Sequence, residues 1–251
     1  TVVRETRRDG PGGDGIWFTT DDQLQRSLVT IYDDAGVGVR YEDYNSEGDD
    51  GILGTSDDIL QRWTDNINDA NGNRINQLEY NNSGADGVWF TSDDLIGSRT
   101  SFSYSLTTDL LDTVLMYSRP GPDGIWNTPD DEIRSRTRYH YDSNGFEVEN
   151  VIYGDEGPDG LWSTADDEIA FITAYNYDDR GLLMLRIKYE GPGADGEWQT
   201  ADDEIDWYRQ SSYDAHGNST EATSHNAPGP DGEWFTSDDV LTARTQYDTS
   251  M

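Results

Sequence analysis

The sequence predicts an all-β protein, an array of seven β-hairpin repeats of about 36 residues joined by acidic loops into a solenoid or spiralling meander sheet. Three observations predict it. An acidic loop of the form GPDGIWNTPDDEI recurs at 12–24, 48–60, 84–96, 121–133, 157–169, 193–205 and 229–241. Between the copies, residues alternate with period two, as in a strand whose two faces differ. No stretch holds a helical period through a capped segment.

The period is kept by three landmarks. The aspartate before the central loop glycine falls at Asp14, Asp50, Asp86, Asp123, Asp159, Asp195 and Asp231, at intervals of 36, 36, 37, 36, 36 and 36. Tyr44, Tyr80, Tyr117, Tyr153 and Tyr189 keep the same beat, with His225 standing in at the end. A Tyr-Asp pair followed by glycine marks the third landmark: Tyr32-Asp33 with Gly36, Tyr141-Asp142 with Gly145, Tyr177-Asp178 with Gly181 and Tyr213-Asp214 with Gly217. Asn68-Asp69 with Gly72 is a weaker copy and Tyr104-Ser105 a degenerate one. Seven units without a linker predict one array over 1–251 rather than several domains.

Each unit reads as two strands and two turns. In the fourth, Ile133, Ser135, Thr137, Tyr139 and Tyr141 alternate with Arg134, Arg136, Arg138 and His140. Asp142 to Gly145 follow, and Asn-Gly favours a hairpin turn because both residues tolerate positive φ. The return strand runs from Phe146 to Tyr153. For a two-residue turn its Glu147 and Glu149 share a face with His140 and Arg138 respectively, so cross-strand ion pairs are expected, worth on the order of tenths of a kcal/mol. Two strands per unit are too few for a propeller blade, which needs four.

Composition narrows the function. The chain carries 51 acidic and 17 basic residues, a formal charge of −34, and Lys188 is its only lysine. Phosphate recognition needs a basic face, which excludes nucleic acid as a partner. Eight Trp, fifteen Tyr and 12% aromatic residues argue against disorder despite the charge. There is no cysteine, hence neither disulfide nor thiolate metal site. No apolar run approaches the ~20 residues of a membrane span, so membrane insertion is not expected. No signal peptide is visible, and Thr1 is no initiator residue, which reads as a processed product or a piece of something longer.

The acidic loop points to a hard cation. Oxygen-only ligands at short fixed spacing suit Ca²⁺, which accepts six to eight of them. Aligned on an EF-hand loop, Asp123 takes the fifth position, Gly124 the turn glycine and Ile125 a backbone carbonyl. Trp126 then takes the apolar position, Asp130 closes the loop, Asp131 lies just beyond it, and Thr128 either supplies a further oxygen or bonds within the loop. Arg119 and Gly121 stand where the first and third ligands belong, so the remaining ligands must be carbonyls, waters or a neighbouring repeat. The candidate ligands in chain order are Asp14, Asp21 and Asp22; Asp50, Asp57 and Asp58; Asp86, Asp93 and Asp94; Asp123, Asp130 and Asp131. Asp159, Asp166 and Asp167; Asp195, Asp202 and Asp203; and Asp231, Asp238 and Asp239 complete the set. Seven Ca²⁺, 14 positive charges in all, would bring −34 to −20. The competing structural reading is turn chemistry alone, with solvated aspartates joining strands. Leu53-Gly54 in the second loop makes that copy the weakest.

Six tryptophans share one loop position: Trp17, Trp89, Trp126, Trp162, Trp198 and Trp234. Exposed in a row they would stack on sugar rings; folded over the loop's back, with the isoleucine before, they would tie the loop into the core. The core reading is favoured, because Leu53 replaces one without disturbing the spacing.

The Tyr-Asp hairpins, Tyr141-Asp142-Ser143-Asn144-Gly145 and Tyr213-Asp214-Ala215-His216-Gly217-Asn218, resemble the YD repeats of RHS-type bacterial cell-surface proteins. That resemblance implies β-hairpins stacked into a long spiralling sheet, and it covers most of the chain at one hairpin per unit. The loop is similar to calcium loops of thrombospondin type 3 and dockerin modules, which implies an extracellular setting. Catalysis is not expected: His140, His216 and His225 sit at unrelated repeat positions and no unique polar cluster breaks the repeat. Residues 1–9 align with a return strand and 241–248 with an outgoing one, so head-to-tail pairing of end strands into a filament, or a cut from a longer array, is favoured over ring closure. The expected function is a calcium-stabilised extracellular structural protein of a surface fibre or adhesin; the alternatives are a calcium-dependent lectin and a fragment of a longer RHS-type surface or toxin protein.

Overall fold

The alternating segments become strands, and every strand lies beside its neighbour in sequence. The computed structural model describes residues 1–10, 13–14, 16, 23–46, 48–50, 55 and 57–247. Among them run β1 (Val2–Gly10), β2 (Gln23–Tyr32), β3 (Gly38–Ser46), β4 (Ile59–Asn68), β5 (Arg74–Asn82), β6 (Leu95–Tyr104) and β7 (Leu111–Arg119). They continue as β8 (Glu132–Tyr141), β9 (Glu147–Asp155), β10 (Glu168–Tyr177), β11 (Leu183–Gly191), β12 (Glu204–Tyr213), β13 (Ser219–His225) and β14 (Leu241–Gln246). The order in the sheet is the order in the chain, with β1 and β14 at the two edges. The all-β hairpin array read from the sequence is what the chain forms.

The chain divides into two compact units, 1–103 with 115–134, and 104–114 with 135–251. In the first, Val29, Leu60 and Trp63 are the buried apolar residues; in the second they are Val151, Ile172, Ile187, Tyr208 and Ala222. That is a small core, because a single-layer sheet has no second layer to bury its face against.

The register explains the tyrosine landmark. Ser27 faces Tyr44, Trp63 faces Tyr80, Arg136 faces Tyr153, Ile172 faces Tyr189 and Tyr208 faces His225. Directly opposed side chains on one face are the unit of sheet stabilisation. Trp63 stacks on Tyr80 with ring centroids 3.9 Å apart, Tyr208 on His225 at 4.5 Å, and the Arg136 guanidinium lies 4.1 Å from the Tyr153 ring centre. The turn is longer than the two residues expected, so the register shifts: His140 faces Glu149 rather than Glu147, its Nε2 3.7 Å from the carboxylate, and Arg138 faces Val151 rather than Glu149.

The Tyr-Asp motif has two separate tasks. Its aspartate builds its own turn: Asp142 Oδ1 accepts the amides of Asn144 and Phe146 at 2.8 and 2.9 Å. Asp33, Asp69, Asp178 and Asp214 do the same. In the degenerate copy Ser105 Oγ substitutes, accepting the amides of Thr107 and Thr108. The tyrosine ties neighbouring hairpins together: Tyr177 donates to the Glu147 carbonyl at 2.9 Å and Tyr213 to the Leu183 carbonyl at 3.0 Å.

Tyr177→Phe removes that tie while keeping the ring that stacks on Phe146. Unfolding by denaturant should show a loss of about 0.5–1.5 kcal/mol. A loss below about 0.2 kcal/mol would mean the hydroxyl does not join the hairpins.

Candidate functional site

Among the described residues, the acidic loops from 84–96 onward are each closed by their own aspartates in three layers. At 121–133, Asp123 Oδ1 accepts the Ile125 amide at 2.7 Å, bending the chain at Gly124. Asp130 Oδ2 accepts the Asp123 amide at 3.2 Å, while its Oδ1 accepts the Thr128 hydroxyl at 2.7 Å. Thr128 Oγ1 also lies 2.9 Å from the Ile125 carbonyl, the oxygen expected as a ligand. Asp131 Oδ2 accepts the Asn127 amide at 2.9 Å and a hydrogen bond from Arg99.

The same layers recur at the other expected positions. Asp14, Asp86, Asp159, Asp195 and Asp231 each accept the amide two residues on. Asp57, Asp93, Asp166, Asp202 and Asp238 accept the amides of Asp50, Asp86, Asp159, Asp195 and Asp231. They also accept the hydroxyls of Thr55, Thr91, Thr164, Thr200 and Thr236. Those hydroxyls first, with the backbone amides, hold Asp57, Asp93, Asp130, Asp166, Asp202 and Asp238 below the usual carboxylate range. Asp21 and Asp22, with Trp17, Leu53 and Gly54, lie outside the described residues.

The second aspartate of each pair does something the loop alone does not require. Asp94, Asp131, Asp167, Asp203 and Asp239 are buried, at 6–8% exposure. Each accepts the amide of Phe90, Asn127, Ser163, Gln199 or Phe235, and all five of those residues hold φ between 65° and 72°. A side chain of the preceding repeat then reaches up from the sheet. Trp63 Nε1 donates to Asp94 at 3.0 Å, Tyr208 donates to Asp239 at 2.6 Å, and Arg136 pairs with Asp167 at 2.9 Å. Arg4 pairs with Asp58 at 3.3 Å and donates to Ser27 Oγ at 2.9 Å. Burial first, and the bond to Asp239, push the Tyr208 phenol up. At Asp203 the strand residue is Ile172, which has no donor.

Sequence reasoning missed this strand position, Ser27, Trp63, Arg99, Arg136, Ile172 and Tyr208. Its identity changes in nearly every repeat, so no motif marks it; its constant offset before the landmark tyrosine and the Asp-Asp pair was the available signal. Trp89, Trp126, Trp162, Trp198 and Trp234 are half-buried, and Trp234 packs edge-on against Tyr208 with ring centroids 5.9 Å apart, while Ile125 is 60% exposed. The residue after the tryptophan also reaches the sheet. Phe90 packs on Trp63 at 5.3 Å and Phe235 on Tyr208 at 4.6 Å, while Asn127 accepts from Asn76 at 3.2 Å. These residues turn back onto the sheet because their left-handed backbone points them there.

Among the described residues, the oxygens of Asp195, Asp202 and Asp203 form the one group of three that gathers within 4.8 Å. Two oxygens on one Ca²⁺ stand at most about 5 Å apart, given bonds of about 2.3–2.6 Å, so this donor set fits a hard cation.

No protein-family model matches the chain, and no curated protein matches it. Among solved structures, a protein of unknown function from Bacteroides fragilis NCTC 9343 is similar at 10% identity and a TM-score of 0.42, over 60% of this chain and 94% of that one. A TcdB2-TccC3 structure is similar at 13% identity and a TM-score of 0.37, over 97% of this chain and 13% of that one. A porin-like protein from Bacteroides uniformis ATCC 8492 gives 10% identity and a TM-score of 0.34, over 97% and 94%. These are similarities of chain course, and no role is drawn from them.

Two glycines separate loop closure from backbone strain. Gly157 and Gly160 both hold φ at +68°, but a Cβ on Gly157 would lie 2.0 Å from the Asp166 carbonyl oxygen while one on Gly160 meets nothing within 4 Å. Gly160→Ala should cost about 1–2 kcal/mol, the left-handed penalty alone, and Gly157→Ala clearly more, by chemical denaturation. Equal costs would mean the Gly157–Asp166 approach does not close the loop.

The carboxylate bonds also predict acid behaviour. Asp130 is depressed in the fold, so its contribution is full above the unfolded value of ~3.9 and is lost as pH falls through the folded value. Thr128→Val should raise the Asp130 midpoint toward ~3.9 in an NMR titration of metal-free protein and flatten the fall of stability below that pH. An unmoved midpoint would remove the hydroxyl as the cause.

Proposed function

We propose that the chain is an extracellular, calcium-stabilised structural repeat protein, a building block of a surface fibre or adhesin. The observation that carries the reading is the convergence of Asp195, Asp202 and Asp203 in a loop repeated along a chain of charge −34. Up to about seven Ca²⁺, one per repeat, would relieve that self-repulsion. In the best-formed loop Asp195, Asp202 and Asp203 would hold the ion, with carbonyls and water completing its shell. Three carboxylates with a partial shell suit the weak sites of extracellular modules, with dissociation constants of about 10⁻⁴–10⁻³ M. The YD hairpins, which resemble those of RHS-type surface proteins, agree with that location.

Self-association follows from the sheet edges. Among the described residues β1 pairs only with β2 and β14 only with β13. Each edge accepts a further strand of the same repeat, and a second copy supplies one head to tail. A glycan-binding role is the second reading, favoured by half-exposed tryptophans at one loop position in Trp89, Trp126, Trp162, Trp198 and Trp234.

Thermal melts and electron microscopy with millimolar Ca²⁺ and with excess chelator test both. The expected result is a midpoint lower in chelator by at least about 3 °C, with linear assemblies only in Ca²⁺. The same midpoint and the same assemblies in chelator would overturn the calcium reading. Saturable glycan binding weakened by Trp126→Ala would favour the lectin instead.

A further inference from the structure

The strand residue beneath each loop is the part of the lock that varies, and in two repeats it is an arginine with a buried charge. Arg99 donates to Asp131, their side chains 12% and 0% exposed; Arg136 lies 2.9 Å from Asp167, at 9% and 0%. Each guanidinium also covers a ring, 4.2 Å from the centre of Tyr117 and 4.1 Å from that of Tyr153. A buried carboxylate is tolerated when it is paired and hydrogen-bonded, and these two are both. At 193–205 the same place is filled by Ile172. Asp203 is as deeply buried, yet it accepts only from the Gln199 amide and the Thr200 hydroxyl of its own loop. One electrostatic problem has two solutions along one chain: a covalently attached cation, or a loop that gathers oxygens.

We propose that Arg99 and Arg136 are built-in counter-ions that take the place of a divalent cation at 121–133 and 157–169. Dependence on the cation then falls on loops whose strand residue is uncharged, above all the one over Ile172. The guanidinium occupies an oxygen of the aspartate that an ion would use and repels the ion at short range. It also fixes the loop without any ligand from solution. This inference rests on the calcium reading for the native loops and stands apart from it for the arginines.

The test compares wild type, Arg136→Met, Ile172→Arg and the double variant Arg136→Met/Asp167→Asn by thermal melts in millimolar Ca²⁺ and in excess EGTA. Arg136→Met should gain a cation requirement, its Ca²⁺-induced shift exceeding that of wild type by about 3 °C or more. Ile172→Arg should shrink the wild-type shift. The double variant removes the charge with its partner, and should fold without any added Ca²⁺ response. If Arg136→Met loses stability equally in both conditions, the counter-ion proposal falls while a wild-type shift keeps the calcium reading. If wild type is indifferent but Arg136→Met responds, the counter-ion role of the arginine stands, while cation dependence over Ile172 falls together with calcium at the native loops. If neither responds, both fall. Should Arg136→Met not fold in either condition, an unchanged Ca²⁺ response in Ile172→Arg overturns the proposal by itself.

Discussion

The buried aspartate at the end of each loop is the contact on which the rest of the repeat depends. It accepts the amide of a residue held in the left-handed region, and in most repeats it also accepts a donor from the strand beneath. The first bond stabilises a backbone conformation that a non-glycine residue adopts at a cost of about 1–2 kcal/mol. The second fastens the loop to the sheet. A one-layer sheet cannot supply its own lid, so a loop of about a dozen residues must serve as one. Phe90 and Phe235 provide apolar cover where the strand residue is Trp63 or Tyr208, and a polar residue takes the same place over Arg99. Lid and floor match in chemistry in these three repeats, whereas over the apolar Ile172 the corresponding residue is Gln199.

The three aspartates of each loop therefore divide the work. Those at Asp123 and Asp130 shape the loop with exposed carboxylates, and Asp131 anchors it. A hydrogen-bonded carboxylate keeps lone pairs for a metal, so loop closure and ion binding are compatible at the first two. At the third they compete wherever the strand offers a donor. Six depressed carboxylates also show that the loops keep their negative charge at any pH near neutrality. Ordered loops concentrate charge that an unfolded chain would spread out. That self-repulsion weighs on the folded state unless it is offset, as the guanidinium groups of Arg99 and Arg136 do beside Asp131 and Asp167.

Much of the fold was legible because it repeats. The 36-residue beat, the period-two strands and the Asn-Gly tip gave the hairpins and their order, since each signal is local and recurs, while the register escaped because the Asp142 turn is longer than two residues. The candidate site was legible in composition and not in geometry. Asp123, Asp130 and Asp131 look alike in sequence, yet only Asp131 is buried, because burial depends on a strand more than thirty residues away. Trp126 is half-buried where its size promised a core residue, and Asn127 beside it, at positive φ, accepts from Asn76. The lock position escaped for the opposite reason. Serine, tryptophan, arginine, isoleucine and tyrosine share no chemistry visible in one chain, and all but isoleucine carry a polar hydrogen that becomes meaningful only once an acceptor sits above them.

The reach of the loops sets how far repeats depend on one another. Asp167 contacts Arg136, one hairpin back, and Asn127 reaches Asn76, which lies 51 residues away. Phe90 lies 4.8 Å under the Arg40 guanidinium, likewise two strands beyond its own hairpin. The Tyr177 hydroxyl makes the corresponding step at the hairpin tips. Coupling in such an array is usually to nearest neighbours, and stability grows as repeats are added. Here the loops at 84–96, 121–133 and 193–205 span more than one neighbour on their face, so a single hairpin lacks both the floor its loop lies on and the lid its strands need. That makes the repeat unable to stand alone and gives an edge strand a strong reason to accept another. The same reach lets one locked loop, such as the one held by Arg136, support a less well-held neighbour. An array can then carry an Ile172 without failing there.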